Sequence, residues 1–279
     1  MRILTKKMIS MDAESDKISE IPVTLERIKH KIVVMSGKGG VGKSTVATNL
    51  ALALGNRGYS VGLLDVDIHG PTIPKMLGVE DEKPAVNNNK LVPVRVSENI
   101  KLISMAFMLP DKDSPVVWRG PMKIGVIRQF IEDVDWGELD YLVVDLPPGT
   151  GDEPLSIAQM IPESYAVIVS TPQDIALLSV RKSINFAKLL KMPIVGIVEN
   201  MGGFVCPHCG EKIDLFKAGG VKSVAEEFEI PFLGKVPIDP NIVESGDAGT
   251  PFVLEHGDSS SGKVFEEMVS MIEEFVAKG

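Results

Sequence analysis

The sequence predicts an α/β fold, with a mostly parallel, twisted sheet and helices on both of its faces. Short runs rich in β-branched residues alternate along the chain with longer amphipathic segments, which is the pattern of strand–helix–strand units. Because no Pro/Gly/Ser-rich linker divides the 279 residues, we expect one domain over residues 19–279 and a flexible tail over residues 1–18.

The first strand–helix unit of this expected fold encloses a glycine-rich loop. Residues 31–36 form a β-branched run, residues 43–58 have helical apolar periodicity, and the loop 37–45 reads Gly-Lys-Gly-Gly-Val-Gly-Lys-Ser-Thr. This spacing matches the nucleotide-binding P-loop, whose backbone N–H groups and helix N-terminus hold phosphates. A glycine-rich turn without a ligand is the alternative, which the flanking strand and helix disfavour. The loop residues expected at the nucleotide are Gly37, Gly39, Gly40, Val41, Gly42, Lys43, Ser44 and Thr45.

Within this loop, two side chains have distinct expected tasks. Lys43 is expected to reach the β- and γ-phosphates, and the Ser44 hydroxyl is expected to ligate Mg²⁺. Since such a lysine serves the ligand, we expect Lys43 to face the ligand and not the protein core.

Two later strands are expected to bring carboxylates to the same edge of the sheet. Residues 60–65 precede Asp67, which could polarise or orient a water facing the γ-phosphate. Helix capping is the alternative for this segment, and it suits Asp65 better than Asp67. Residues 140–145 form a Walker B pattern that ends in Asp145, a candidate for the Mg²⁺ shell.

Two further strands are expected at residues 165–170 and 194–199, separated by an amphipathic helix over residues 174–191. Asn200 follows the second of these strands. Its amide can present a donor and an acceptor to an adenine edge, or it can accommodate a tight turn before two glycines. Side-chain chemistry alone leaves these two roles open.

Cys206 and Cys209 are the only cysteines of the chain, and they lie three positions apart. They are interpreted as a redox pair, as two inert core cysteines or as half of a metal site. A redox pair needs a helix N-terminus, whereas the surrounding glycines and Phe204 indicate a loop or short hairpin. A closed zinc site or a cubane cluster needs four ligands, so a metal at residues 206–209 would require a second chain. Ligand count does not separate zinc from an iron–sulfur cluster.

Composition excludes several classes of partner. The net charge of −9 and the isoelectric point near 5.1 argue against a general nucleic-acid surface. No apolar run approaches the ~18 residues of a membrane span. The amphipathic segment 264–278 carries glutamates on its polar face, which opposes binding to anionic lipid, so we expect it to pack on the core. The chain is expected to be cytoplasmic, with both thiols reduced.

The loop 37–45 also contains a second lysine, Lys38, and in this it resembles the deviant Walker A motif of the MinD-like ATPases. The resemblance implies that Lys38 reaches across a dimer interface to the partner's nucleotide. A metal site shared between the cysteines of two chains would also require a dimer, so the two inferences support each other.

Taken with other segments, the chain from about Ile32 to Glu244 resembles the Mrp/ApbC family of iron–sulfur cluster carrier ATPases. The segments that carry this resemblance are the deviant loop and residues 63–74, 115–123, 136–155, 171–182 and 196–210. Arg119 lies in one of them, with no defined role beyond a salt bridge.

The resemblance implies a homodimeric ATPase that takes a 4Fe–4S cluster from a donor and passes it to apo iron–sulfur proteins. Lys38, Lys43, Ser44, Asp67 and Asp145 would act on ATP and Mg²⁺. Asn200 would contact adenine, and Cys206 and Cys209 would hold a cluster bridged between subunits. Neither nucleic acid nor membrane is implied as a partner. The alternatives are a MinD/ParA-like positioning ATPase and a zinc-bridged dimeric ATPase.

Overall fold

The structure is a computed structural model that describes residues 23–68, 70–109, 120–206, 209, 211–213, 215 and 219–278. The tail predicted at residues 1–18 and Arg119 lie outside the described residues. The strands are β1 Ile28–Met35, β2 Val61–Asp65, β3 Ala85–Asn87, β4 Lys90–Val92, β5 Val94–Arg95, β6 Ile100–Ser104, β7 Leu139–Asp145, β8 Ser164–Ser170, β9 Ile194–Val205, β10 Lys212–Ile213 and β11 Phe232–Ile238.

The helices alternate with these strands along most of the chain. They are α1 Val23–Glu26, α2 Lys43–Asn56, α3 Ile73–Met76, α4 Gly120–Glu132, α5 Asp152–Gln159, α6 Asp174–Leu189, α7 Gly220–Glu227, α8 Pro240–Ala248, α9 Phe252–Glu255 and α10 Ser260–Val276, with a 3₁₀ turn at Met105–Met108. The helix predicted at residues 43–58 ends earlier, at Asn56, because Gly58 has a positive φ of 90°.

The described strands form one main sheet in the order β10-β9-β8-β1-β7-β2-β6-β5, with β11 also paired to β9. Pairs among β1, β2, β6, β7, β8, β9 and β11 are parallel, and β5 and β10 are attached antiparallel at the two ends of this order. The predicted mostly parallel α/β sheet is therefore confirmed. The strands β3 and β4 form a separate hairpin.

A hydrophobic core lies on each face of the sheet, because the central strands are apolar on both sides. One core contains side chains of α4, α6 and α7, among them Phe130, Ile184 and Val221. The other contains side chains of α2, α9 and α10, among them Leu50 and Phe265. Helices on both faces are thus observed, as the sequence predicts.

The C-terminal helix α10 packs on the second core, which confirms its expected place. Phe265, Met268 and Ile272 are buried there. Its acidic face binds Arg57 at the end of α2, which pairs with Glu266 and Glu273 at 3.0 and 2.6 Å. Within the described residues, no helix has the length and apolar content needed to cross a membrane.

Candidate nucleotide site and cysteine hairpin

The carboxyl ends of β1, β2 and β7 meet at one edge of the sheet, because these strands are parallel neighbours. Asp65 of β2 lies beside Asp145 of β7, and Asp145 lies beside Val34 of β1. The loop 37–42 leaves this edge and leads into α2 at Lys43. Residues that are distant in sequence are thereby gathered around the N-terminus of one helix.

Three glycines of the loop have a steric reason for their position. A Cβ on Gly37 would lie 2.3 Å from the Ser179 carbonyl oxygen of α6. Gly40 and Gly42 have φ values of 76° and 79°, which L side chains rarely adopt. A Cβ on Gly42 would also lie 2.1 Å from Nδ2 of Asn200. The loop therefore requires glycine at position 37 because of close approach, at position 40 because of its backbone conformation, and at position 42 for both reasons.

Lys43 connects the loop to both predicted carboxylates. Its Nζ lies 2.7 Å from Oδ1 of Asp145 and 3.4 Å from Oδ2 of Asp67. The lysine side chain is only 5% exposed. The structure thus brings Lys43, Asp67 and Asp145 together, with Lys43 as the counter-ion of the fully buried Asp145 carboxylate. That Lys43 serves the ligand stays a prediction.

Ser44 and Asp145 provide adjacent oxygen ligands. The Ser44 hydroxyl donates to Oδ2 of Asp145 over 2.6 Å. Hydroxyl and carboxylate oxygens are the hard ligands that Mg²⁺ prefers. The donor set at this position therefore fits the predicted Mg²⁺ site, with Ser44 as the ligand and Asp145 in its shell.

Asp65 has a different place from the helix cap considered for it. The N-cap of α3 is Thr72, whereas Asp65 is fully buried at the end of β2. Its carboxyl group accepts hydrogen bonds from Ser104 Oγ at 2.7 Å and from the Asp67 N–H at 3.2 Å. Burial, assisted by the nearby Asp145 carboxyl, raises the pKa of Asp65 to about 8. Sequence reasoning missed Ser104, because only strand pairing places it beside Asp65.

Lys38 is half-buried and has a contact within its own chain. Its Nζ donates to Oε1 of Gln173 over 3.3 Å, and Gln173 is the residue just before α6. The backbone of Lys38 is also fixed, since Ser36 Oγ donates to its carbonyl oxygen at 2.9 Å. The sequence did not single out Gln173, because it is 135 positions from Lys38 along the chain.

Asn200 lies inside β9, where it pairs with Val236 of β11. The turn considered for Asn200 is therefore wrong, because β9 continues to Val205. The Asn200 side chain is buried, and its Nδ2 donates to the Val41 carbonyl oxygen at 2.9 Å. Asn200 thus adjoins the phosphate loop, as a nucleotide contact would require, while its role at adenine remains a prediction.

A cavity of about 310 Å³ begins beside Thr45, at the first turn of α2. Its wall is mixed, with Asn49 of α2, Met76 of α3, Ile242 of α8 and Phe252 of α9. Clefts of a few hundred Å³ with apolar walls and a few polar groups are typical of small-molecule sites. Space for a ligand therefore adjoins the glycine-rich loop on the α2 side.

The two cysteines lie on a hairpin at one end of the sheet. Strand β9 ends at Val205, and β10 returns antiparallel to it, with Lys212 opposite Val205. The Cys206 N–H donates to the Glu211 carbonyl oxygen at 2.9 Å, which closes the hairpin. This confirms the expected loop or short hairpin and excludes the pair of inert core cysteines, since Cys206 is half-buried and Cys209 exposed.

The cysteine hairpin is separate from the carboxylates of the nucleotide loop. Cys206 follows Asn200 by six residues and lies just after the end of β9, beyond the contact of that strand with the loop. Among the residues that the structure describes, no group of three or more His, Cys, Asp and Glu side chains is gathered as for a metal ion. His208 lies outside the described residues.

Comparison with known proteins finds a matching family model and similar chains. The family model described as ParA, NUBPL iron-transfer P-loop NTPase, matches residues 27–273. An iron-sulfur cluster carrier protein of Methanocaldococcus jannaschii is 50% identical over 273 residues, which cover 98% of this chain and 92% of that protein.

Solved structures also resemble the fold. A nucleotide-binding protein from Archaeoglobus fulgidus, solved in complex with ADP and with cobalt, is 43% identical, with a TM-score of 0.75 over 84% of this chain and 92% of its own. The cell division ATPase MinD of Pyrococcus furiosus has a TM-score of 0.64 at 23% identity, covering 88% of this chain and 99% of its own. The second likeness concerns the fold alone.

Proposed function

Because this chain belongs to the ParA/NUBPL family of iron-transfer P-loop NTPases, we propose that it hydrolyses ATP and carries a 4Fe–4S cluster to apo iron–sulfur proteins as a cytoplasmic homodimer. One observation carries the proposal. The cation of Lys43, the hydroxyl of Ser44 and the carboxylates of Asp67 and Asp145 converge at the glycine-rich loop. The cysteine hairpin adds a thiolate pair on the same chain.

The phosphates of ATP would enter where Lys43 now meets the two carboxylates. Backbone N–H groups of the loop 39–45 and the N-terminus of α2 would hold the α- and β-phosphates. Lys43 would then turn from Asp145 toward the β- and γ-phosphates, because phosphate oxygens offer it a stronger anionic partner. Bound Mg²⁺ would neutralise charge that develops on the phosphates.

Asp67 is the candidate for orienting the attacking water. It follows β2 by two residues, and its Oδ2 lies 3.4 Å from Nζ of Lys43, the group proposed to hold the γ-phosphate. A carboxylate within hydrogen-bond reach of a water can align that water with the phosphorus atom and accept its proton. We also propose that the Asn200 amide gives up its hydrogen bond to the Val41 carbonyl oxygen and contacts adenine instead.

The cluster is the cargo of this proposed reaction. Cys206 and Cys209 supply two thiolates per chain, and a cubane cluster needs four ligands. Two subunits would supply them, so the cluster would lie between the hairpins of a dimer. Supply of the cluster by a donor protein and its acceptance by apo iron–sulfur client proteins complete the proposal, and neither nucleic acid nor membrane is part of it.

Anaerobic reconstitution with iron and sulfide tests the cargo. We expect about four iron atoms per dimer and the broad absorbance of a 4Fe–4S cluster near 400 nm. Gel filtration before and after loading should show the loaded protein as a dimer. Tight zinc without iron uptake would instead support the zinc-bridged ATPase. Vesicle or DNA recruitment that depends on ATP, with no iron uptake, would support the positioning ATPase.

Lys38→Ala is expected to reduce hydrolysis while nucleotide binding to a single chain stays largely intact. The reason is that Lys38 is proposed to act on the partner's nucleotide and not on the nucleotide of its own chain. A mixture of Lys38→Ala chains with Lys43→Ala chains tests this directly. In a heterodimer, one site then holds Lys43 of its own chain and Lys38 of the partner. Random pairing should restore about a quarter of wild-type turnover.

Gln173→Ala is the matched control for that experiment, because it removes the contact of Lys38 within the chain and keeps the lysine. We expect it to retain hydrolysis. If no mixing ratio restores turnover, Lys38 works within its own chain, and the interface role is wrong.

A further inference from the structure

We propose that Asp65 is a positioning residue of the nucleotide site: anchored on Ser104, its carboxyl group holds the backbone of Asp67 and sets the direction of the Asp67 carboxylate. The inference rests on the proposed function, since it assigns Asp65 a task in ATP hydrolysis. Asp65 has no role in the steps of hydrolysis described above.

The contacts of Asp65 form a short chain from β6 to Asp67. Ser104, at the end of β6, donates to Oδ2 of Asp65 at 2.7 Å. Ser104 Oγ is itself fixed, because it accepts the N–H of Ala106 at 3.1 Å. The other oxygen of Asp65, Oδ1, accepts the N–H of Asp67 at 3.2 Å. Both Asp65 and Ser104 are completely buried, so water does not compete for these bonds.

Asp67 needs such an anchor, because it lies beyond the end of its strand. The parallel pairing of β2 ends at Asp65. After it, the Val66 N–H donates to the Asp145 carbonyl oxygen at 3.2 Å, and the Asp67 N–H donates to the Asp65 side chain. The backbone is thus held at two successive residues up to Asp67. The Asp67 carboxylate then lies 3.4 Å from Lys43.

A purely structural link between β2 and β6 would not require a carboxyl group at this position. Burying a carboxyl group in place of an apolar side chain costs free energy, and proteins retain such groups mainly at sites where they serve function. A carboxyl at Asp65 offers two acceptor oxygens, one for the Ser104 hydroxyl and one for the Asp67 N–H. An apolar residue would leave both donors without a partner.

Three variants test the inference through different atoms. Ser104→Ala removes the anchor of Asp65, and we expect kcat to fall about tenfold, because small displacements of a positioned group cost rate steeply. Asp65→Ala removes the acceptor as well, and we expect a loss of about 100-fold. Asp65→Asn keeps an oxygen for the Asp67 N–H and should stay within about threefold of wild type. The Kd of ATP should change less than about threefold in all of them, since the phosphate loop is untouched.

A double-mutant cycle separates positioning from general stability. In an Asp67→Asn background, Ser104→Ala and Asp65→Ala should cause no further loss in single-turnover hydrolysis, because the group they position is already gone. Ser164→Ala is the matched control: Ser164 is a buried serine at the opposite end of the sheet, and its hydroxyl donates to the Ile161 carbonyl. It should leave kcat unchanged in both backgrounds.

The outcomes distinguish a failure of this inference from a failure of the proposed function on which it rests. Equal losses in the wild-type and Asp67→Asn backgrounds, or an unchanged kcat for folded Ser104→Ala, would overturn the positioning role while hydrolysis stands. Asp65→Asn that loses as much as Asp65→Ala would also overturn it, by showing that an acceptor oxygen for the Asp67 N–H does not suffice. Wild-type protein without ATP turnover, or Asp67→Asn with full turnover, would instead contradict the proposed function.

Discussion

Replacement of Lys43 with alanine is expected to lower ATP turnover by about 100- to 1,000-fold, the usual cost of removing one preorganised group that stabilises transition-state charge. The lysine is the proposed contact to the β- and γ-phosphates, and in the structure its ammonium group lies between Asp67 and Asp145. Phosphate release under single-turnover conditions measures the loss. Titration with a fluorescent nucleotide analogue measures nucleotide affinity, which separates the loss of turnover from weaker binding.

The same substitution is expected to destabilise the folded chain, because it leaves Asp145 buried without its cation. Breaking a buried ion pair costs about 3 kcal/mol in the free energy of unfolding. Burial already raises the pKa of Asp145, and the Lys43 ammonium opposes that rise. Without Lys43 the pKa of Asp145 rises further, so the folded chain keeps a proton that the unfolded chain releases above about pH 4.

A raised pKa in the folded state makes stability fall as pH increases. Urea unfolding of Lys43→Ala should therefore show its largest deficit against wild type near pH 8, and the deficit should shrink toward pH 5. Lys31→Ala is the control, since Lys31 is another buried lysine, on β1, and pairs with Glu163 instead. It should retain ATP turnover. Wild-type ATP turnover by folded Lys43→Ala would contradict the assignment of the phosphate loop.

A chain that lacks both Cys206 and Cys209, paired with a wild-type chain, is expected to hold no stable cluster. Such a heterodimer offers two protein thiolates, and a 4Fe–4S cluster needs four ligands. Either single Cys→Ala change in a homodimer should also abolish stable binding and transfer. ATP binding should persist, because Cys206 lies six residues beyond Asn200, whose side chain marks the nearest contact of β9 to the phosphate loop.

Differently tagged chains allow the heterodimer to be purified before anaerobic loading, and iron per dimer is then measured together with ATP binding. Glu211→Ala serves as the control, because Glu211 closes the hairpin through its backbone carbonyl, which alanine retains. That variant should load iron as wild type does. A heterodimer with a full cluster would show that one subunit suffices, and the shared site would have to be abandoned.

Local features of the site were predictable because they depend on short stretches of chain. The glycines of the loop 37–42 indicate a backbone conformation that other residues rarely adopt. Gly40 and Gly42 do have positive φ values. The apolar runs before Asp65 and Asp145 predicted buried parallel strands, as observed. Where adjacent residues share a task, as Lys43 and Ser44 do, the sequence alone fixes their proximity.

Element ends were less predictable, since they depend on packing partners. Strand β9 was expected to stop at residue 199 and instead runs to Val205, because β11 and β10 offer it further backbone partners. Asn200 is consequently a strand residue and not a turn residue. The glycines that follow it suggested a turn, and the strand accommodates them as an irregularity between Asn200 and Phe204, where Met201 and Gly203 have positive φ values.

The sequence by itself determined the chemistry of this protein: a phosphate loop with two lysines, carboxylates at strand ends, and a single thiol pair. Only the tertiary structure decided which of these groups meet. The order of strands brings Ser104 to Asp65, and α6 brings Gln173 to Lys38 and Ser179 to Gly37. The physical reason is that a parallel sheet joins its strands through long crossovers, so neighbours in space are distant in sequence, and apolar runs of similar composition do not specify which strand lies beside which.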